Sequence, residues 1–113
     1  MIAQDVISRY QAMWLFCFFD IPVKTKEDQK RAAHFRKLIL EDGFHMHQFS
    51  VYTRHCGSKE SLEVHQKRVI SFVPVKGKVS LLAVTEKQYK DIINFWGVKF
   101  APLKTSPQQL EFF

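Results

Sequence analysis

An apolar run of seven residues, 13–19, most constrains how this chain can fold. The run is much shorter than the roughly 20 residues that span a membrane as a helix, and it has the length of a strand buried on both faces. Asp20 follows directly, and Pro22 ends the strand pattern two residues later. The sequence therefore predicts a central strand with one carboxylate at its exit.

The segment after this strand has the pattern of an amphipathic helix over residues 25–41. Thr25 is the expected N-cap, and Asp28 three residues later gives a capping box. Ala32, Phe35 and Ile39 lie on one side at helical spacing, so they form the expected buried stripe. Gly43 ends the helix.

The second half of the chain continues the alternation of strands and helices. Between residues 44 and 54 the apolar positions change from even to odd numbers, which predicts a bulge near residues 47–48. A second helix over 59–72, with Leu62, Val69 and Phe72 facing the core, is followed by a strand over 79–84, a helical turn over 86–91 and a last strand over 92–96. This order predicts an α/β ferredoxin-like sandwich: a mainly antiparallel sheet, two helices on one face and an added C-terminal strand.

The length of 113 residues fits one domain. We assign residues 13–97 to the ferredoxin-like domain, 1–12 to an N-terminal extension and 98–113 to a tail. Prolines make a helix in the tail unfavourable, yet it ends in the apolar residues Leu110, Phe112 and Phe113. We expect these three residues to pack on a partner subunit, since exposed aromatic side chains mark interfaces.

Charge and cysteine content restrict the partners and the compartment. The chain has 17 Lys and Arg against 11 Asp and Glu, a net charge of +6, which makes a polyanion the leading class of partner. Cys17 and Cys56 form no Cys-x-x-Cys pair, and Cys17 lies inside the apolar strand. We therefore expect reduced thiols, a cytoplasmic location and no membrane segment.

Asp20 has two interpretations. A carboxylate at the end of a central strand, next to a basic helix, can hold a divalent metal near a phosphate; it can also accept hydrogen bonds within the following turn. Phosphodiester hydrolysis at a metal usually needs two or more carboxylates, and the chain has no obvious second one nearby. A symmetric dimer that brings together Asp20 from both subunits would supply the pair.

A second candidate site is the basic side of the first helix. Five cations lie on it or beside it: Lys26, Lys30, Arg31, Arg36 and Lys37. Their spacing suits contact with a duplex backbone, and no zinc finger, helix-turn-helix or aromatic ribonucleoprotein motif is present that would read bases. The alternative is an ordinary solvated helix face.

Histidine and cysteine patterns give weaker signals. His45 and His47 share a strand face but have no third metal ligand at a diagnostic spacing. His55 and Cys56 are adjacent, so on an extended chain their side chains point to opposite faces, which argues against a nucleophile pair.

Three segments together resemble the CRISPR-associated protein two family: the strand end Phe18 to Pro22, the basic helix, and Gln48 to Tyr52. The resemblance extends over about residues 14–96. The tail at 108–113 is similar to that of members from systems with a single large effector (type II).

The resemblance implies a ferredoxin-like homodimer in which the two strand-end aspartates face each other. Asp20 matches the family's catalytic and metal-binding position, and Mg²⁺ is its assigned metal. The family also bridges two dimers of the CRISPR integrase (adaptation protein one) and holds spacer-precursor double-stranded DNA by its backbone. Two functions therefore compete: a DNA-positioning bridge, which we favour, and a magnesium-dependent endonuclease that cleaves RNA or double-stranded DNA through paired Asp20.

Overall fold

The computed structural model describes residues 11–97, which form a four-stranded antiparallel sheet and three helices. In chain order the elements are β1 (Met13–Asp20), α1 (Lys26–Glu41), β2 (His45–Gln48), β3 (Val51–Cys56), α2 (Lys59–Phe72), β4 (Lys78–Thr85) and α3 (Glu86–Lys90). The strand order is β2-β3-β1-β4, so the apolar strand β1 lies between β3 and β4. The predicted ferredoxin-like class is confirmed.

Helix α1 begins at the predicted capping box. The Asp28 N–H donates to Thr25 Oγ1 at 3.0 Å, and the Thr25 N–H donates to Asp28 Oδ2 at 3.3 Å. The helix ends at Glu41 with Asp42 as its C-cap, and Gly43 follows with φ +96°. Local sequence signals therefore define both ends of this helix.

Strands β2 and β3 form a hairpin with the predicted irregularity. The pairing register shifts between Met46 and Gln48, which confirms the bulge. Phe49 and Ser50 connect the strands, and Ser50 has φ +65°, a left-handed conformation that is uncommon for serine. The Phe19 N–H donates to the Ser50 carbonyl at 3.1 Å, so the tip of the hairpin is fixed to the end of β1.

The core lies between one face of the sheet and the two long helices. Leu15 and Cys17 of β1 are fully buried there, together with the predicted α1 stripe of Ala32, Phe35 and Ile39. In α2, Leu62 and Val69 are buried as predicted, and Phe72 is partly buried against the same core. Burial of this apolar surface is the main favourable contribution to the free energy of folding.

The other face of the sheet, which we call the open face, is partly covered by α3. Tyr89 stacks on Trp14 with 3.7 Å between ring centroids and 4° between planes, and it also lies 5.9 Å from the Phe16 ring. Trp14 Nε1 donates to Glu86 Oε1 at 3.0 Å. Phe18 and Leu82 remain exposed on this face.

The predicted last strand over 92–96 is wrong for the single subunit. Helix α3 follows β4 directly. The N–H of Asp91, the C-cap of α3, donates to the carbonyls of Lys87 and Tyr89. Within residues 11–97 the following segment pairs with no strand, and Ile93, Phe95 and Trp96 are exposed. An isolated extended segment has no ladder of backbone hydrogen bonds to define it as a strand.

Several sequence predictions concern parts outside the described residues. Most of the N-terminal extension and the whole tail, with Leu110, Phe112 and Phe113, belong to this group. Among the three helices of residues 11–97, none combines the length and the apolar character that crossing a membrane requires.

Candidate functional site

Asp20 is the last residue of β1, and it is exposed. Its Cα partner across the sheet is Lys78 of β4. Among residues 11–97 its carboxylate takes part in no side-chain hydrogen bond or ion pair, whereas the turn before α1 is held by Thr25, Asp28 and a 3.1 Å bond from Gln29 Nε2 to the Val23 carbonyl. The turn-stabilising interpretation of Asp20 is therefore wrong, because Asp28 has that role.

The backbone of Asp20 packs closely against Gly77. Gly77 has φ +106°, and a Cβ at this position would lie 2.8 Å from the Asp20 carbonyl oxygen and 3.0 Å from Ile21 Cα. Only glycine fits both the conformation and the space. Gly77 immediately precedes β4, and the sequence analysis did not identify its contact with Asp20.

A cavity of about 220 Å³ opens beside Asp20. It lies between the end of β1, the buried side of α1 and the β2–β3 hairpin, and we call it the Asp20 cavity. Its lining consists of Phe19, Asp20, Ile21, Val23, Ala32, Arg36, Phe49, Ser50 and Tyr52. Of the predicted site residues it brings together Asp20 and Arg36; the sequence analysis missed the contribution of the hairpin, although the Gln48 to Tyr52 segment was singled out.

The donor set at Asp20 limits what one chain can offer a metal. Residues 11–97 contain no group of three or more His, Cys, Asp or Glu side chains placed to share an ion. Mg²⁺ requires six oxygen ligands in near-octahedral geometry, so a single Asp20 would leave most positions to water. Paired Asp20 residues in a dimer would fit Mg²⁺ only as a largely hydrated ion.

On the predicted basic face of α1, some cations form ion pairs within residues 11–97 and others do not. Lys26, Lys30 and Lys37 are exposed and enter none of the ion pairs found within residues 11–97. Arg31 instead lies 2.6 Å from Asp28 Oδ1 and 3.8 Å from Glu27 Oε2. Burial alone would raise the pKa of Asp28, but hydrogen bonds from Arg31 and Thr25 outweigh it and lower that pKa. The three lysines, which we call the lysine row, are therefore the available phosphate contacts.

Sequence reasoning also missed a buried polar network at the end of α1. His65 Nδ1 lies 2.7 Å from Asp42 Oδ2, Arg68 donates to Asp42 Oδ1 at 2.9 Å, and Arg54 Nε donates to the Asp42 carbonyl at 2.8 Å. The network joins α1, α2 and β3, so its role is structural. A signal was present, because His65 lies at helical spacing between Leu62 and Val69.

The two thiols are unsuited to catalysis. Both are free and buried; burial raises the pKa of Cys17 to about 12, and burial also raises that of Cys56. His55 points to the open face, where it lies 3.3 Å from Glu86 Oε2, away from the Cys56 side chain. The argument against a His55–Cys56 pair is confirmed.

Comparison with known proteins gives consistent matches. A sequence model described as CRISPR associated protein Cas2 matches residues 13–92. A protein from Flavobacterium psychrophilum is 41% identical over 107 residues, covering 95% of this chain and 93% of its own. One from Parvibaculum lavamentivorans is 46% identical over 101 residues, covering 89% and 100%. Both are named CRISPR-associated endoribonuclease Cas2.

The fold comparison agrees. A solved structure titled "Crystal structure of cas2" superposes with a TM-score of 0.55 at 20% identity, covering 84% of this chain and 98% of the other. At this identity the superposition supports the fold alone, and the sequence matches support the family.

Proposed function

Since the chain belongs to the CRISPR-associated protein Cas2 family, we propose that it acts in CRISPR adaptation as a homodimer that bridges two integrase dimers. In this role it holds spacer-precursor duplex DNA by its backbone while the spacer is inserted into the array. In this role the protein positions the DNA and the integrase. Spacer insertion would then require its binding surfaces but not the carboxylate of Asp20.

The lysine row carries the proposal. Lys26, Lys30 and Lys37 lie on the side of α1 opposite Ala32, Phe35 and Ile39, free of acidic partners within the described chain. At 1.5 Å per residue, the 11 steps from the first lysine to the last extend about 16 Å along the helix axis. A duplex has one negative charge per roughly 1.7 Å of axis, so such a row faces several phosphates at once.

The open face supports a dimer. Phe18 and Leu82 are 37% and 50% exposed in the single subunit, and Ile93, Phe95 and Trp96 follow α3 without burial. Apolar surface of this kind is covered in a stable assembly. A two-fold axis at this face also gives the bridge two equivalent ends for two integrase dimers.

Magnesium-dependent endonuclease activity is the second candidate, because the relatives are named endoribonucleases. In this candidate the two Asp20 carboxylates of a dimer hold Mg²⁺, which would activate water for attack on a phosphodiester. Each chain supplies one carboxylate, and the nearby cations Arg36 and Lys78 compete with a metal for its charge. We therefore rank bridging above hydrolysis.

The lysine row is tested by replacing Lys26, Lys30 and Lys37 with Ala and measuring duplex affinity by fluorescence anisotropy at several salt concentrations. Each lost phosphate contact lowers the slope of log affinity against log salt by about 0.9. We expect weaker binding to all duplex sequences alike and a slope reduced by up to about 2.7. A matched variant, with Lys59, Lys67 and Lys90 replaced by Ala, changes net charge equally and should keep the slope. Equal losses in both variants would contradict a specific row.

The Asp20→Ala variant distinguishes the two candidate functions. Bridging predicts that spacer insertion, dimer formation and duplex affinity are retained. Hydrolysis predicts that any magnesium-dependent cleavage disappears. If insertion is lost while the dimer, duplex affinity and integrase binding are intact, chemistry at Asp20 is required and bridging alone is refuted.

A further inference from the structure

We propose that His45 and His47 of β2 bind one divalent transition-metal ion, with Zn²⁺ as the expected example, through one imidazole nitrogen each. The inference goes beyond the proposed function, because it concerns a different ion and a different part of the sheet from Mg²⁺ and Asp20. It gives a role to two histidines that neither bridging nor hydrolysis uses.

The two histidines lie on the open face of the sheet, at the edge formed by β2. The Cα partner of His45 is Thr53, and Thr53 in turn pairs with Phe16 of β1. The His47 ring is on the same face, because its centroid lies 5.8 Å from that of Phe16 at an interplanar angle of 64°. Positions i and i+2 of a strand are about 7 Å apart. Two imidazole side chains at this separation can reach a common ion, to which each nitrogen bonds at about 2.0–2.1 Å.

The bulge in β2 gives His47 a position that a regular strand would not provide. The pairing register passes from Met46 to Gln48, so His47 is the residue without a Cα partner in β3. An extra residue of this kind bends its strand and redirects a side chain, and bulges are frequent beside functional sites. Phe16 and Tyr89, whose centroids lie 5.8 and 6.4 Å from that of His47, border its ring on the sheet. One of the two ligands is therefore oriented before an ion binds.

The imidazole nitrogens of this pair are available. Within residues 11–97, neither His45 nor His47 takes part in a hydrogen bond or an ion pair, whereas His55 and His65 each pair with a carboxylate. His45 is exposed and His47 is half-buried, so an ion can approach from solvent. Neutral imidazole is the commonest metal ligand among protein side chains.

The number and chemistry of the ligands decide which ion fits. Residues 11–97 contain no group of three or more His, Cys, Asp or Glu side chains placed to share an ion, so the pair supplies two ligands and water completes the coordination. Such a site is open, unlike a structural zinc site with four protein ligands. Imidazole suits Zn²⁺, Cu²⁺ and Ni²⁺, whereas Mg²⁺ prefers oxygen ligands. The pair should therefore discriminate against the ion proposed for Asp20.

The test measures Zn²⁺ binding to the untagged, metal-free protein by isothermal titration calorimetry at pH 7.5, with Mg²⁺ in excess. We expect one Zn²⁺ per chain. Loss of a residue that only orients a ligand weakens metal binding by about 10–100-fold, so loss of a ligand in His45→Gln or His47→Gln should weaken it at least about tenfold. His34→Gln removes an exposed histidine from α1 and is the matched control, which should bind Zn²⁺ as the wild type does.

Several results would refute the site. They are the absence of Zn²⁺ binding in the wild type, wild-type affinity in either β2 variant, and an equal loss in His34→Gln. One ion per two chains, lost in Leu82→Asp, would refute it in favour of a site built from two subunits. Circular dichroism checks that each variant is folded. Duplex affinity without Zn²⁺ reports the proposed function independently, because the β2 variants leave the lysine row unchanged.

Discussion

At the scale of single residues, Asp20 is positioned through its backbone. The Asp20 carbonyl lies against Gly77, and the preceding N–H of Phe19 is bonded to Ser50. Its carboxylate is left without a partner among residues 11–97 and is free to meet a ligand or a second copy of itself. Gly77 and Ser50 therefore position Asp20 without contacting the carboxylate that would bind a ligand.

Gly77→Ala should destabilise the protein by about 1–3 kcal/mol, because the new Cβ combines an unfavourable φ with a contact of 2.8 Å to a backbone oxygen. Urea unfolding at pH 7 measures the change. Gly57→Ala is the matched control: nothing lies within 4 Å of a Cβ there, so its free energy of unfolding should change by less than about 0.5 kcal/mol. Similar values for the two variants would show that the contact at Gly77 is not restrictive.

Cys17 should make stability fall in alkaline solution. Burial raises the pKa of its thiol from the ordinary 9.0 to about 12, so the folded protein keeps a proton that the unfolded chain releases. Stability is thus unaffected below about pH 9 and declines between pH 9 and 12, by at most about 1.4 kcal/mol per pH unit. Unfolding of wild type and Cys17→Ala at pH 8 to 10 gives the difference. Parallel pH profiles would disprove this contribution.

At the scale of elements, α1 has separate structural and functional sides. Phe35 and Ile39 secure it to the sheet, while Lys26, Lys30 and Lys37 face solvent on the other side. Changes to the lysines therefore leave the packing of the helix intact. Arg31 is the exception, because its ion pair with Asp28 connects it to the capping box.

Thr25→Ala should cost about 1 kcal/mol of unfolding free energy, the usual effect of losing an N-cap side chain. The Asp28 N–H loses its acceptor, and Asp28 loses one of the bonds that lower its pKa. Ser71→Ala is a suitable control, because within residues 11–97 the Ser71 hydroxyl donates only to the Arg68 carbonyl near the end of α2. A loss as large in Ser71→Ala would mean that the cap is not responsible.

Elements were predicted well where their signals are local. The capping box of α1, the bulge in the second strand region and the buried residues of α2 were all expected from neighbouring residues. The contact of Gly77 with Asp20 and the pairing of His65 with Asp42 join distant parts of the chain. Helical spacing indicates that His65 is buried, but no spacing rule identifies the partner of either residue. The prediction of the last strand failed for a related reason: a strand depends on its partner, and residues 92–96 have none within residues 11–97.

At the scale of the whole molecule, the sheet has one packed face and one incompletely covered face. The packed face contains the core, and on the other face α3 covers Trp14 and Phe16. The lysine row lies on α1, which covers the packed face. A partner on the open face would thus leave the lysine row accessible.

Leu82→Asp should convert the proposed homodimer to a monomer, because it places a charge in the middle of the open face, where Leu82 pairs with Phe16. Sedimentation velocity at micromolar concentration measures the mass, and circular dichroism should remain that of a folded protein. Ile70→Asp is the control, since Ile70 is similarly exposed but lies on α2. A wild type that sediments as a monomer would contradict the dimer itself.

The stacking of Tyr89 on Trp14 gives the protein an internal optical reporter. The chain has two tryptophans, and Trp14 is the one enclosed by Tyr89, His55 and its bond to Glu86. With Trp96 replaced by phenylalanine, indole emission would come from this one position. The wavelength and polarisation of this emission would then report, without any attached dye, the binding of a partner to the open face or the separation of α3 from the sheet.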